Sequence, residues 1–140
     1  MSKLLAIDYG TKRCGIAATD SLQMIASGLT TVETKNIHEF MVDYLSNEDV
    51  ECLIVGDPRR LNNEPSAVEK SIIPFINFIK KRFPRLKIER EDERFTSKMA
   101  METMIQGGVK KMKRRDKALV DKVSATLILQ SYMERTQSER

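Results

Sequence analysis

Three acidic positions stand where a carboxylate is either costly or informative. Asp8 closes the apolar run Leu4-Leu5-Ala6-Ile7, and a carboxylate at the end of such a strand must be paired, bound to a metal or open to solvent. Strand ends line the ligand crevice of α/β sheets; the plainer alternative is an Asp that caps the turn at Tyr9-Gly10. Asp92 and Glu93 follow an expected strand at residues 86–91, the last in the chain, so its end can lie close to Asp8, although Glu89 and Glu91 make this stretch acidic in any case. Asp121 falls inside the last expected helix, about one turn past any capping position. Stepping along its stripe gives Ala125, Ile128 and Tyr132, with the small residues Ser124 and Ala125 beside it. An acid on a packed face with room around it suggests a site; a salt bridge to Lys117 or Lys122 at a helix edge is the structural alternative.

Carboxylates from a first strand, a last strand and a C-terminal helix can converge on one spot. Oxygen-only ligation favours Mg²⁺ or Mn²⁺, and two such ions about 3.5–4 Å apart activate a water and stabilise the leaving oxygen in phosphodiester cleavage. The single histidine, His38, nearly excludes His-centred zinc sites and catalytic triads; it lies in a polar helix-like stretch and is expected on the surface. Cys14 and Cys52 are isolated, without a CxxC pattern, and are expected to be reduced, buried thiols of a cytosolic protein.

The basic residues supply a counterpart. Lys110, Lys111, Lys113, Arg114, Arg115 and Lys117 crowd together after Gly107-Gly108 with only Asp116 opposing them. Between two catalytic elements, such a loop would meet a phosphate backbone in a salt-dependent, sequence-independent way; otherwise it is a solvated loop. Thr11, Lys12 and Arg13 follow Asp8 in a glycine-flanked turn and could hold the phosphate next to the scissile one. Arg94 adjoins Glu93 and could do the same, or pair with Asp92. Lys80, Lys81, Arg82, Arg85 and Lys87 look like an exposed helix end. With no Trp and few aromatic residues, a stacking platform for single strands is not expected to dominate.

The elements that must position these groups follow from the pattern. Strands are expected at residues 3–9, 13–19, 25–32, 50–55 and 86–91. A helix from Asn36 as a possible N-cap to about 46 carries Ile37, Phe40, Met41, Tyr44 and Leu45 at helical spacing. A second helix opens at Pro65 or Ser66 and runs to about 83, with a kink or break expected at Pro74. A third, capped by Thr96 or Ser97, stops at Gly107-Gly108. A last one covers about 117–133, followed by a polar tail expected to fray. The close spacing of the first three strands makes them an antiparallel meander; the later ones are joined through crossover helices and run parallel. The whole is a single α/β domain over residues 1–140, a mixed five-stranded sheet flanked by helices.

The bulk properties agree. The 140 residues suit one domain that buries its own core. The formal net charge of +4 is a mild basic bias compatible with nucleic acid. No run approaches the length of a membrane span, and the start Met1-Ser2-Lys3 enters an apolar segment without the shape of a secretory signal, so a cytoplasmic location is expected.

At these residues the sequence resembles the YqgF family, also called RuvX, of ribonuclease-H-like nucleases, described as Holliday-junction resolvases and as nucleases that mature the small-subunit ribosomal RNA precursor. Four segments carry the likeness in order across almost the whole chain: Leu5-Ala6-Ile7-Asp8-Tyr9-Gly10-Thr11-Lys12-Arg13-Cys14-Gly15-Ile16-Ala17; Leu53-Ile54-Val55-Gly56-Asp57-Pro58; Asp92-Glu93-Arg94-Phe95-Thr96-Ser97-Lys98-Met99-Ala100; and Asp121-Lys122-Val123-Ser124-Ala125-Thr126-Leu127-Ile128-Leu129-Gln130-Ser131-Tyr132. The first alone is a weak signal; the four together are specific. The resemblance implies a ribonuclease-H-like fold, dependence on Mg²⁺ or Mn²⁺, and an acidic triad at Asp8, Glu93 and Asp121. Two departures concern the substrate loop and not the triad: the family usually has an apolar residue where Asp57 stands, and a glycine-containing loop where this chain has Leu61-Asn62-Asn63-Glu64-Pro65.

The function expected from these features is metal-dependent cleavage of structured nucleic acid, with the 5′ end of the 16S ribosomal RNA precursor favoured over a four-way DNA junction. A junction resolvase normally needs two active sites related by two-fold symmetry, and nothing in the sequence reads as a strong dimer interface; a monomer or weak homodimer is expected. A non-catalytic nucleic-acid-binding module on the same fold is the second possibility, against which the intact triad stands. A third starts from Asp8-Tyr9-Gly10-Thr11, which also resembles the phosphate loop of actin-like kinases and ATPases; those proteins need two such domains, and this chain holds one.

Overall fold

The apolar runs form the centre of a sheet. In a computed structural model, which describes residues 2–58, 67–92 and 116–138, β1 (Lys3–Tyr9) and β4 (Val50–Asp57) lie side by side and parallel, with Ile7 opposite Val55. β2 (Arg13–Thr19) and β3 (Ala26–Glu33) continue antiparallel on one side, and β5 (Lys87–Asp92) adds in parallel on the other. The order is β3-β2-β1-β4-β5, the mixed five-stranded arrangement expected from the sequence.

Strand alternation divides the core between two faces. On one, Leu5, Ile7, Cys14, Ile16, Leu53 and Val55 pack under α1 (Ile37–Asn47) and α2 (Glu69–Arg82). On the other, Leu4, Ala6, Ala17, Cys52 and Ile54 meet Ala125, Ile128, Leu129, Tyr132 and Met133 of α3 (Lys117–Ser138). The second face is built from smaller strand residues, which lets α3 lie close to the strands. At Gly28, a Cβ would come within 2.6 Å of Lys122 Cγ.

Several boundaries differ from expectation. β4 runs on to Asp57 because its parallel pairing with β5 continues through Gly56–Glu91 and Asp57–Asp92. Helix α2 carries Pro74 without a break. Pro74 is on the exposed side, where water can hydrate the carbonyl it leaves unpaired, while Ile72, Phe75, Ile76 and Ile79 anchor the opposite side. The first helix follows a single 3₁₀ turn (Thr34–Asn36), and Asn36 makes no side-chain capping bond. The expected fraying tail is helical through Ser138: Arg135 is fastened to Glu91 of β5, and Thr136 Oγ1 donates to the Tyr132 carbonyl at 2.9 Å. His38 is exposed as expected, yet its ring lies 4.3 Å from that of Phe78. Cys14 and Cys52 are free and buried. The expected helix at 96–107, the polar stretch 59–63 and the basic residues Lys110 to Arg115 lie outside the described residues, whereas Lys117, the last of that basic run, opens α3.

Candidate active site

Asp8 shares the strand parity of Leu4 and Ala6 and so belongs to the α3 face of β1. Its cross-strand partner on β2 is Gly15. The missing side chain at Gly15 is a structural requirement: a Cβ there would lie 2.0 Å from the Asp121 carbonyl oxygen and 2.4 Å from its carbonyl carbon. The backbone of α3 at Asp121 therefore rests directly on the residue that pairs with Asp8. The first strand and the last helix thus place Asp8 and the Asp121 backbone on either side of one residue, Gly15.

The Asp121 carboxylate is also held from the sheet. Arg13 Nε donates to Asp121 Oδ2 at 3.0 Å, and both side chains keep about a quarter to a third of their surface exposed (31% and 26%). This pair replaces the salt bridge to Lys117 or Lys122 anticipated as the structural alternative: the partner comes from β2, far away in sequence. Cys14, next to Arg13 but on the opposite face, senses both acids. Burial pushes its thiol up, hydrogen bonding with Thr34 and the Gly10 backbone pulls it down, and the charges of Asp8 and Asp121 push it up again.

The turn after Asp8 is tightly tied. Thr34 Oγ1 donates to the Gly10 carbonyl at 2.7 Å, and the Thr34 amide donates to the Lys12 carbonyl at 2.9 Å. A Cβ on Gly10 would meet the Arg13 carbonyl oxygen at 2.4 Å, so this turn needs glycine. The ties leave Thr11 and Lys12 exposed and Arg13 half-buried.

Across the sheet, two groups went unremarked in the sequence. Glu91, treated there only as local acidity, is buried and faces α3, where it accepts hydrogen bonds from Ser131 Oγ at 2.7 Å and Arg135 Nε at 3.0 Å. Its signal was the spacing of Ser131 and Arg135, one helical turn apart. Arg90, on the opposite face, donates to both oxygens of Glu69 (3.0 and 2.8 Å) and to the Gly56 carbonyl (2.9 Å), fastening the start of α2 to the end of β4. Ser124, one turn along α3 from Asp121, is buried, and its hydroxyl has no hydrogen-bond partner among the described residues.

The donor chemistry at this end of the sheet fits a hard divalent cation. Asp8 and Asp121 offer carboxylate oxygens, while the Cys14 thiol belongs to the other face and His38 packs against Phe75 and Phe78. Among the described residues no three His, Cys, Asp or Glu side chains gather as metal ligands. Glu93, the third expected acid, lies outside the described residues, as do Arg94, Lys110, Lys111, Arg114 and Arg115. It follows Asp92, the last residue of β5, and is two positions on from Glu91.

Comparison with known proteins gives a consistent result. The family model RuvX, described as Holliday junction resolvase, matches residues 2–135. The chain is 56% identical over 133 residues to a protein of Christiangramia forsetii, covering 95% of this chain and 98% of the relative. It is 54% identical over 134 residues to one of Bacteroides thetaiotaomicron, covering 96% and 97%, and 52% identical over 134 residues to one of Phocaeicola vulgatus, covering 96% of each. All three relatives carry the name "Putative pre-16S rRNA nuclease".

Proposed function

The chain belongs to the RuvX family, and on that premise we propose that it is a divalent-metal-dependent nuclease, one domain over its whole length, that processes the 5′ end of the 16S ribosomal RNA precursor. The observation that carries the assignment of the site is the seating of Asp121 on Gly15, the cross-strand partner of Asp8. The names of the relatives support the substrate.

Asp8, Glu93 and Asp121 would hold Mg²⁺ or Mn²⁺, which when bound supplies Lewis-acid activation of the attacking water and stabilises charge on the leaving oxygen. The protein's own cations do the rest. Thr11, Lys12 and Arg13 present a hydroxyl and two positive charges beside the acids, where they bind the phosphate next to the scissile one. Arg94 serves the same strand of substrate. Lys110, Lys111, Arg114 and Arg115 engage phosphates further away and set register without reading sequence. The protein acts in the cytoplasm as a monomer or weak homodimer; among the described residues no helix is long and apolar enough to cross a membrane.

A second reading, cleavage of four-way DNA junctions, is favoured by the description of the matching family model. One assay separates the two. Wild type and Asp8→Asn are compared with Mg²⁺ or Mn²⁺ on a ribosomal RNA precursor fragment and on a four-way junction. The expected outcome is cleavage of the RNA alone, reduced more than about a hundred-fold by Asp8→Asn, since even indirect metal contacts are worth 10–100-fold. Paired symmetric cuts in the junction would replace the RNA reading with a dimeric resolvase. Binding of both proteins to RNA without cleavage by either would leave a non-catalytic module.

A further inference from the structure

We infer that Arg13 is a displaceable counter-ion, which couples cation binding at Asp121 to phosphate binding at the β1–β2 turn. The inference rests on the proposed role of Asp8 and Asp121 as metal ligands and says how that site is regulated by its substrate.

Two arginines of the structure make opposite kinds of contact. Arg90 uses all three guanidinium nitrogens: Nε to the Val55 carbonyl, Nη1 to Glu69, and Nη2 to Glu69 and the Gly56 carbonyl. That is how a structural arginine is held. Arg13 uses Nε alone, on Asp121 Oδ2 at 3.0 Å. A guanidinium has five N–H donors, so four on Arg13 have no partner among the described residues. Its side chain keeps 31% of its surface exposed, and its neighbours Thr11 and Lys12 are exposed as well. A guanidinium fork with unspent donors next to a lysine matches a phosphate group.

The contact is not needed to hold the helix on the sheet. The Asp121 backbone already rests on Gly15, Thr31 Oγ1 donates to the Ala118 carbonyl at 2.6 Å, and Lys122 packs on Gly28. The pair instead places a positive charge on a carboxylate oxygen that a cation would require. Asp121 Oδ2 cannot serve the guanidinium and an inner-sphere cation at full strength. Cation binding therefore releases Arg13 to a phosphate, and a phosphate that draws Arg13 away opens Asp121 to the cation. Each ligand raises the affinity of the other by the same factor, as linkage requires.

The test measures Mn²⁺ uptake by electron paramagnetic resonance without nucleic acid, for wild type, Asp8→Asn, Arg13→Gln and Lys12→Gln. Removing the competing guanidinium should tighten Mn²⁺ binding about two- to five-fold, the range expected for a partly exposed ion pair. Lys12→Gln, which removes an equal charge one residue away, should give a distinctly smaller gain. A second titration follows RNA affinity with and without Ca²⁺, another oxygen-seeking cation; the factor by which Ca²⁺ tightens RNA binding should fall in Arg13→Gln by a similar two- to five-fold. If Arg13→Gln does not fold, Arg13→Lys, which keeps the charge and loses the fork, should give an intermediate gain. Weaker Mn²⁺ binding in Arg13→Gln would make Arg13 a support for Asp121 and overturn the inference, as would equal gains in Arg13→Gln and Lys12→Gln. Mn²⁺ uptake that Asp8→Asn abolishes and Arg13→Gln leaves unchanged overturns the role of Arg13 alone. No uptake by any of the proteins overturns the metal reading of the site and this inference with it.

Discussion

Gly15 is the residue at which strand and helix can least accept a side chain. A methyl there would be driven into the Asp121 carbonyl, which is backbone and cannot rotate away. Gly15→Ala should therefore destabilise the protein by about 1–3 kcal/mol, the usual range for overpacking, read as a lower midpoint in urea denaturation at unchanged slope. Because the strain falls on the carrier of a proposed ligand, Mn²⁺ affinity should drop in the same variant; an unshifted midpoint would mean that α3 does not rest on β2 here. Asp8 and Asp121 stood out in the sequence as candidates because each broke a local rule: Asp8 ended an apolar strand, and Asp121 sat on an apolar helix stripe. The Arg13–Asp121 pair was not legible. Helical spacing offered Lys117 and Lys122, whereas the actual partner comes from a strand 108 residues away, and only the packed fold brings it there.

Elements carry the site by what they fasten. Glu91, buried between Ser131 and Arg135, ties β5 to the later turns of α3, so the strand that leads into Glu93 and the helix that bears Asp121 share one buried contact. Tyr132 ties the same helix to β4. Its hydroxyl lies 3.9 Å from Cys52 Sγ, and burial first, then Cys52, raises its pKa from 10.0 to about 12. A phenol that ionises later in the folded chain than in the unfolded one adds stability that is complete below pH 10 and lost as pH rises towards 12. Tyr132→Phe should flatten the fall of stability between pH 10 and 12 in urea titrations. The flattening will be partial, because Tyr9 and Tyr44 are also raised by burial; an identical alkaline slope in the variant would show that Tyr132 ionises freely in the folded protein. Strand positions were legible to within a residue or two because alternation and apolar runs are local signals. The extension of β4 to Asp57 was not, since it depends on pairing with β5, and neither was the length of α3, since Glu91 reaches its last turns from another element.

At the scale of the whole molecule, the charges are sorted in a way that a polyanion-binding nuclease needs. Asp8 and Asp121 stand close together on the α3 face, where Asp121 is already paired with Arg13, so phosphate approaches these carboxylates only where positive charge offsets theirs. The net charge of +4 is too small to do this as a diffuse field. It has to be local: Lys12 and Arg13 at the turn, and the crowded Lys110, Lys111, Arg114 and Arg115 of the sequence. Each phosphate neutralised contributes about 0.9 to the slope of log affinity against log salt on duplex DNA, and about 0.7 on single strands. Replacing Lys110, Lys111, Arg114 and Arg115 by Gln should thus weaken binding to RNA and to DNA alike and flatten the slope by about three to four units. The same variant should keep the Mn²⁺ affinity of the wild type, because the four charges act on the substrate and not on Asp8 or Asp121. Weaker binding with an unchanged slope would mean that these residues touch no phosphate; the positive charge that brings a polyanion to this acidic sheet edge would then rest on Lys12, Arg13 and the bound cation.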